Sequence, residues 1–100
     1  MKFITNYKEF GKSDEISLLD NISKTPIGVK NKVLSYMKGG NDAGVRCSSV
    51  FDFVQNISTG KTIHCYTDGE YKWDDREIYH FEHYNLKLES EFVNKVLHSS

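Results

Sequence analysis

The residues of this chain best suited to chemistry are its four histidines and two cysteines. His80 and His83 stand three apart, a spacing at which two side chains of one helix can share a metal ion, with Cys47, Cys65 or Glu77 as further ligands. No ligand motif surrounds them, and two exposed histidines on a solvated helix face are the plainer reading. Cys65 next to His64 offers adjacency in sequence only, because neighbours on a strand point to opposite faces. Asp68 with Glu70 resembles a carboxylate pair, but Asp68 is explained by the turn it makes. Gly39-Gly40 follows a helix rather than opening one, so it does not form a phosphate-cradling loop. No nucleophile, base and orienting group can be assembled. The expectation is a protein without catalytic residues, metal or cofactor.

The elements that position these residues start from the turn. Asp68-Gly69 separates two β-prone runs, and Asp-Gly suits a two-residue type I′ hairpin. That turn would set Thr67 opposite Glu70, Tyr66 opposite Tyr71, Cys65 opposite Lys72 and His64 opposite Trp73. One face would then be aromatic and core-facing, made of His64, Tyr66, Tyr71 and Trp73. The other would carry Ile63, Cys65, Thr67, Glu70 and Lys72, a mixed set that could be half covered. Asp74 or Asp75 can cap a helix over about 75–84, and Asn85 can end it in the left-handed conformation. Ile78, Phe81 and Tyr84 form its apolar side, while Arg76, His80 and His83 point elsewhere. Phe92, Val93, Val96 and Leu97 then fall on one stripe of a second helix opening near Glu89.

Upstream, the first ten residues fit a short strand or an irregular lead-in equally well. Ser13 or Asp14 can cap a helix to about Ser23, with Ile16, Leu19 and Ile22 at three-residue intervals. Thr25-Pro26 signals another helix start, running to Lys38 and burying Val29, Val33, Leu34 and Met37. A polar, mobile loop to Ala43 follows. Alternation from Val45 through Phe53 reads as a strand with one mainly apolar face, and Ser58-Thr59-Gly60 as its return turn. The fold class expected is α+β: a three-stranded antiparallel meander over about 45–54, 62–67 and 70–74, packed against about four helices.

One hundred residues suit a single domain, 1–100, with a limited core. A hydrophobic share of 38%, with 27% charged residues, is that of an ordinary globule, neither disordered nor membrane-spanning. The segment MKFITNYKEF lacks an apolar run long enough for a signal peptide or membrane helix, which points to the cytoplasm. Cys47 and Cys65 have no CxxC spacing and read as buried thiols in a reducing compartment. Net charge is −1, which argues against nucleic-acid binding through bulk positive charge. Residues 1–50 carry eight Lys and Arg against five Asp and Glu, and residues 51–100 five against nine, giving +3 and −4. An acidic C-terminal half suits a basic partner.

The string Thr67-Asp68-Gly69-Glu70-Tyr71-Lys72-Trp73, then Ile78-Tyr79-His80-Phe81-Glu82-His83-Tyr84, then Leu88-Glu89-Ser90-Glu91-Phe92, resembles the C-terminal signature of small immunity proteins of polymorphic toxin systems, including contact-dependent growth inhibition and Rhs types. With Lys32 to Met37 as a further family-like helix, the resemblance covers roughly the last two-thirds of the chain. The prolines of that pattern, after the tryptophan and before the acidic-Phe start, are absent here. The resemblance implies a non-enzymatic cytoplasmic inhibitor whose partner is a cognate toxin C-terminal domain; the acidic half of the chain adds the expectation that this domain is a basic nuclease, and neither nucleic acid nor membrane is expected as a direct partner. Glu70, Asp74, Asp75, Glu77, Tyr79 and Glu82 are the candidate toxin contacts: acids to meet toxin Lys and Arg, and a tyrosine as a desolvated anchor. A small protein-binding adaptor unrelated to toxins is the alternative.

Overall fold

The computed structural model describes residues 2–12, 14–25 and 27–98. Ser13 and Pro26, invoked above as helix-start residues, lie outside them. The chain is α+β. In order it forms β1 (Lys2–Phe3), 3₁₀ turns at Lys8–Phe10 and Leu18–Asp20, α1 (Lys30–Lys38), β2 (Asn41–Asp52), β3 (Ile57–Thr67), β4 (Tyr71–Asp74), α2 (Asp75–Tyr84) and α3 (Ser90–His98). The sheet order is β1-β4-β3-β2. β2–β3 and β3–β4 are antiparallel as expected, but β1 adds a fourth strand, parallel to β4, so the sheet is mixed. Among the described residues there are three α-helices rather than about four.

The missing helix is the one expected over 14–23. Its backbone groups bond elsewhere: Lys8 N–H donates to the Ile16 carbonyl, Glu9 Oε1 accepts from Leu18 N–H, and Ser17 Oγ accepts from Leu19 N–H. Such local side-chain acceptors compete with helical bonding. Leu18, which is off the three-residue pattern, is buried, while Ile16 and Leu19 are exposed. The helix after Pro26 starts only at Lys30.

The Asp-Gly turn is also built differently. Only Gly69 has positive φ, at 97°; Asp68 does not, so the turn is not type I′. Asp68 Oδ1 instead accepts from the N–H groups of Glu70 and Tyr71 at 2.9 and 2.7 Å, an Asx-type turn. The register consequently moves by two residues, pairing Tyr66 with Trp73 and Cys65 with Asp74. Because side chains alternate with period two, a shift of two leaves each β4 residue on its expected face. Tyr71 and Trp73 are therefore buried, whereas His64 slides past the end of β4 and its side chain is 53% exposed.

Along β2 the alternation fails. Asn41–Ala43, expected in a loop, belong to the strand, and bulges between Asp42 and Gly44, Arg46 and Ser49, and Ser49 and Phe51 break the register. Residues 41–49 are all exposed, Cys47 among them, which corrects its assignment as a buried thiol; Cys65 is half-buried. The return turn spans 53–56, fixed by Asp52 Oδ1 accepting from Val54 and Gln55 N–H. Ser58-Thr59-Gly60 lies within β3.

α1 and α3 cover the aromatic face. Trp73 Nε1 donates to the Met37 carbonyl at 2.9 Å, and its ring packs on Tyr36 and Phe92. The irregular N-terminal segment contributes Ile4, Tyr7, Phe10 and Leu18 to the same core. It is stitched to the connection between α2 and α3 by Glu89 N–H to Ile4 O, Lys87 N–H to Asn21 O and the Tyr7 hydroxyl to Lys87 O.

Candidate interaction groove

Helix α2 carries most of the candidate contacts, and its start is defined by Asp74. Asp74 is the N-cap: its carboxylate accepts from Arg76 N–H, while Glu77 Oε1 accepts from Asp74 N–H in return, a capping box. Arg76 also grips the Asp74 carboxylate through Nε and Nη2. Asp74 is thus buried and satisfied within the fold.

Glu77 is 0% exposed, so this candidate contact does not face solvent. Its Oε1 lies 3.1 Å from Lys12 Nζ and its Oε2 accepts from Thr5 Oγ1 at 2.8 Å. Burial pushes its carboxyl up, and Lys12 offsets part of that shift. His80, read as exposed, is also 0% exposed. Its Nδ1 donates to the Arg76 carbonyl at 2.7 Å and its Nε2 accepts from Phe53 N–H at 3.1 Å, so both nitrogens are committed. It is held neutral, its pKa lowered by burial.

The other four candidates reach solvent, at two places. Glu70 sits at the β3–β4 turn, paired with Lys2 at 3.4 Å and Lys95 at 2.9 Å. Asp75, Tyr79 and Glu82, at spacings of four and three, line one side of an open groove of about 550 Å³ between α2 and β3. Val50 and Ile78 supply apolar lining, and Lys61, Thr62, His64 and Tyr66 form the β3 wall.

The groove's polar groups are held in place. Asp75 Oδ2 accepts from His64 N–H at 2.9 Å and lies 3.1 Å from His64 Nδ1, while Tyr66 donates to Oδ1. Tyr79 donates to Asp52 Oδ2 at 2.6 Å, and Tyr84 donates to the same oxygen. Burial alone would raise the Asp52 carboxyl, but the Gln55 and Val54 N–H groups and the two hydroxyls hold it at about 2. That anionic acceptor in turn pushes the Tyr79 hydroxyl up. Glu82 is 40% exposed and pairs with Lys38 at 3.2 Å.

His64 is oriented by Asp75 as a general base would be, and among the described residues no hydroxyl or thiol is bonded to its imidazole. Among the described residues no group of three or more His, Cys, Asp or Glu side chains gathers to hold a metal, and no helix is long and apolar enough to cross a membrane.

His64 and Lys61 were missed as groove residues because the assumed turn placed His64 opposite Trp73. Period two sets His64 with Thr62 and Tyr66 on one wall, whereas Lys61, three residues from His64, is off that period and is brought to the groove only by the tertiary fold. The charge asymmetry between the two halves is also largely cancelled in space: Lys2, Lys12 and Lys38 of the basic half pair with Glu70, Glu77 and Glu82 of the acidic half. No protein-family model, curated protein or solved structure matches this chain.

Proposed function

We propose that this chain is an immunity protein that acts in the cytoplasm, binding and neutralising a cognate toxin domain, a basic nuclease, without catalysis. The observation that carries the reading is the convergence of Asp75, Tyr79 and Glu82 on one open, apolar-lined groove. The resemblance of the hairpin and helix α2 to immunity proteins adds to it. A groove of this size accepts a protruding toxin segment, with aliphatic or aromatic groups over Val50 and Ile78 and a cation at the acids. Exposed ion pairs such as Lys38–Glu82 are worth only about 0 to 1 kcal/mol, so a toxin Lys or Arg can take the place of Lys38 at little cost. The bonded frame around Asp75 and Tyr79 keeps the site preorganised, which lowers the entropy lost on binding.

The test is coexpression with the C-terminal domain of the protein encoded immediately upstream. A complex should form and cells should survive, and Glu82→Lys combined with Asp75→Asn should weaken binding by about tenfold or more. A harmless upstream product, or a toxic one that this chain neither binds nor blocks, would sink the reading. Binding without protection would leave the adaptor.

A further inference from the structure

Alternation along β4 sends Tyr71 and Trp73 into the core and turns Lys72 to the opposite face. The register carries this second face across all four strands. Phe3 lies beside Lys72, Cys65 beside Asp74, and Arg46 beside Ile63. It opens to solvent at Phe3 (43% exposed), Arg46 and Lys72, around a cleft of about 330 Å³.

The ionisable groups lining that cleft are Lys12, Arg46, Lys72 and Arg76 against Asp74 and Glu77, four cations to two carboxylates, or +2. Both carboxylates are used internally, Glu77 by Lys12 and Asp74 by the Arg76 fork. Among the described residues Arg46 has one long contact of 3.8 Å, to Asp74, and Lys72 lies over the Phe3 ring, 4.8 Å from its centroid. Lys12 Nζ lies 4.7 Å from the same centroid.

Spacing decides what such a face can hold. Arg46 and Lys72 lie two strands apart, about 10 Å, and their partners Ile63 and Thr67 are four residues apart along β3, about 13 Å, giving roughly 16 Å between backbones. An extended segment, at about 3.3 Å per residue, covers that distance in about five residues, so carboxylates along it can meet both cations. Among the described residues Arg46 has a single 3.8 Å ion pair and Lys72 none, and two such cations are too few for a nucleic-acid surface, whose affinity comes from neutralising many phosphates together. We infer that the open part of this face, at Phe3, Arg46 and Lys72, is a docking surface for an acidic segment of a partner protein, its carboxylates spaced to reach Arg46 and Lys72 together. This surface shares Tyr66 with the α2–β3 groove but none of its acids, and the inference stands whether or not the partner is a toxin.

An octaglutamate peptide titrated into the ¹⁵N-labelled full chain tests it, at about 0.01 M ionic strength, where the screening length is about 30 Å. Saturable amide shifts are expected at Phe3, Arg46, Cys65 and Lys72, with none there from octalysine. Arg46→Glu with Lys72→Glu should weaken the binding by about tenfold or more. Arg46→Gln with Lys72→Gln should fall between that pair and the parent, so a misfolded reversal variant does not end the test. The inference is overturned by shifts confined to the α2–β3 groove, by parent-like affinity in the folded glutamine pair, or by tighter binding of a single-stranded oligodeoxynucleotide on this face.

Discussion

Two buried ionisable side chains on α2 make the chain's stability depend on pH. His80 is neutral with both nitrogens engaged, and adding a proton at Nε2 would set two N–H groups, its own and that of Phe53, against each other. Folding lowers its pKa below the ordinary 6.5, so in the interval between the two values the unfolded chain binds more protons. Its contribution to stability is complete above pH 6.5 and declines as the pH falls through the folded value. Urea midpoints measured across this range should drop on acidification, and His80→Phe should remove that part of the slope. The same variant should cost about 1 to 3 kcal/mol at neutral pH, because Phe53 N–H loses its acceptor. Glu77 has the opposite sign. Burial raises its pKa, so the cost of ionising it appears as the pH rises through the folded value, and Lys12 offsets that cost. Lys12→Met should therefore destabilise by about 3 to 5 kcal/mol at pH 8 and by less at pH 5, where the carboxyl can protonate. Equal losses at the two pH values in urea titrations would show that Lys12 acts by packing alone.

Between elements, the tightest joint is where α1 hands the chain to β2. A Cβ at Gly40 would stand 2.7 Å from Trp73 Cζ2 and 3.0 Å from Tyr66 Cβ, so glycine is required by the close approach of the tryptophan. Trp73 in turn bonds the last turn of α1 through Met37 O. Gly40→Ala should cost about 1 to 3 kcal/mol as overpacking. Trp73→Ala should cost about 3 to 5 kcal/mol as loss of a buried large aromatic. Since Trp73 causes the closer of the two clashes, the two losses should not add fully: with Ala at 73, changing Gly40 should cost less, the approach to Tyr66 Cβ remaining, and a double-mutant cycle in urea measures the difference. Full additivity would mean that the strain at residue 40 comes from elsewhere.

For the molecule as a whole, the first dozen residues close the fold. They supply β1, the buried side chains Ile4, Tyr7 and Phe10, and the cation that meets Glu77. Three such side chains at about 1.5 to 3 kcal/mol each come to roughly 5 to 9 kcal/mol. That is comparable to the whole stability of a typical domain, about 5 to 15 kcal/mol. A chain starting at residue 13 should lose its near-ultraviolet circular dichroism and dispersed amide spectrum. A cooperative melt in that fragment would show that the sheet and helices hold together without it.

The legible parts of this fold were those governed by local chemistry. Asp75–Tyr84 with its Asp74 cap and Asn85 terminator, the stripe of α3, and the core-facing side of β4 all follow from short-range periodicity and capping, which need no knowledge of distant partners. Three of the groove's residues, Asp75, Tyr79 and Glu82, were legible for the same reason, since their helical spacing fixes one face. Four features were decided only when the chain closed on itself. β1 needed an edge of β4 to pair with, and the 14–23 segment gave up its helical pattern to side-chain acceptors on neighbouring turns. Glu77 and His80 went inside because Lys12, Thr5 and Phe53 arrived from far along the chain to satisfy them. The acidic and basic halves largely cancelled because the fold brings Lys2, Lys12 and Lys38 against Glu70, Glu77 and Glu82. Charge counted along a sequence ignores which opposite charge lies a few ångströms away, and at that range the interaction depends on three-dimensional distance and local dielectric, not on separation along the chain.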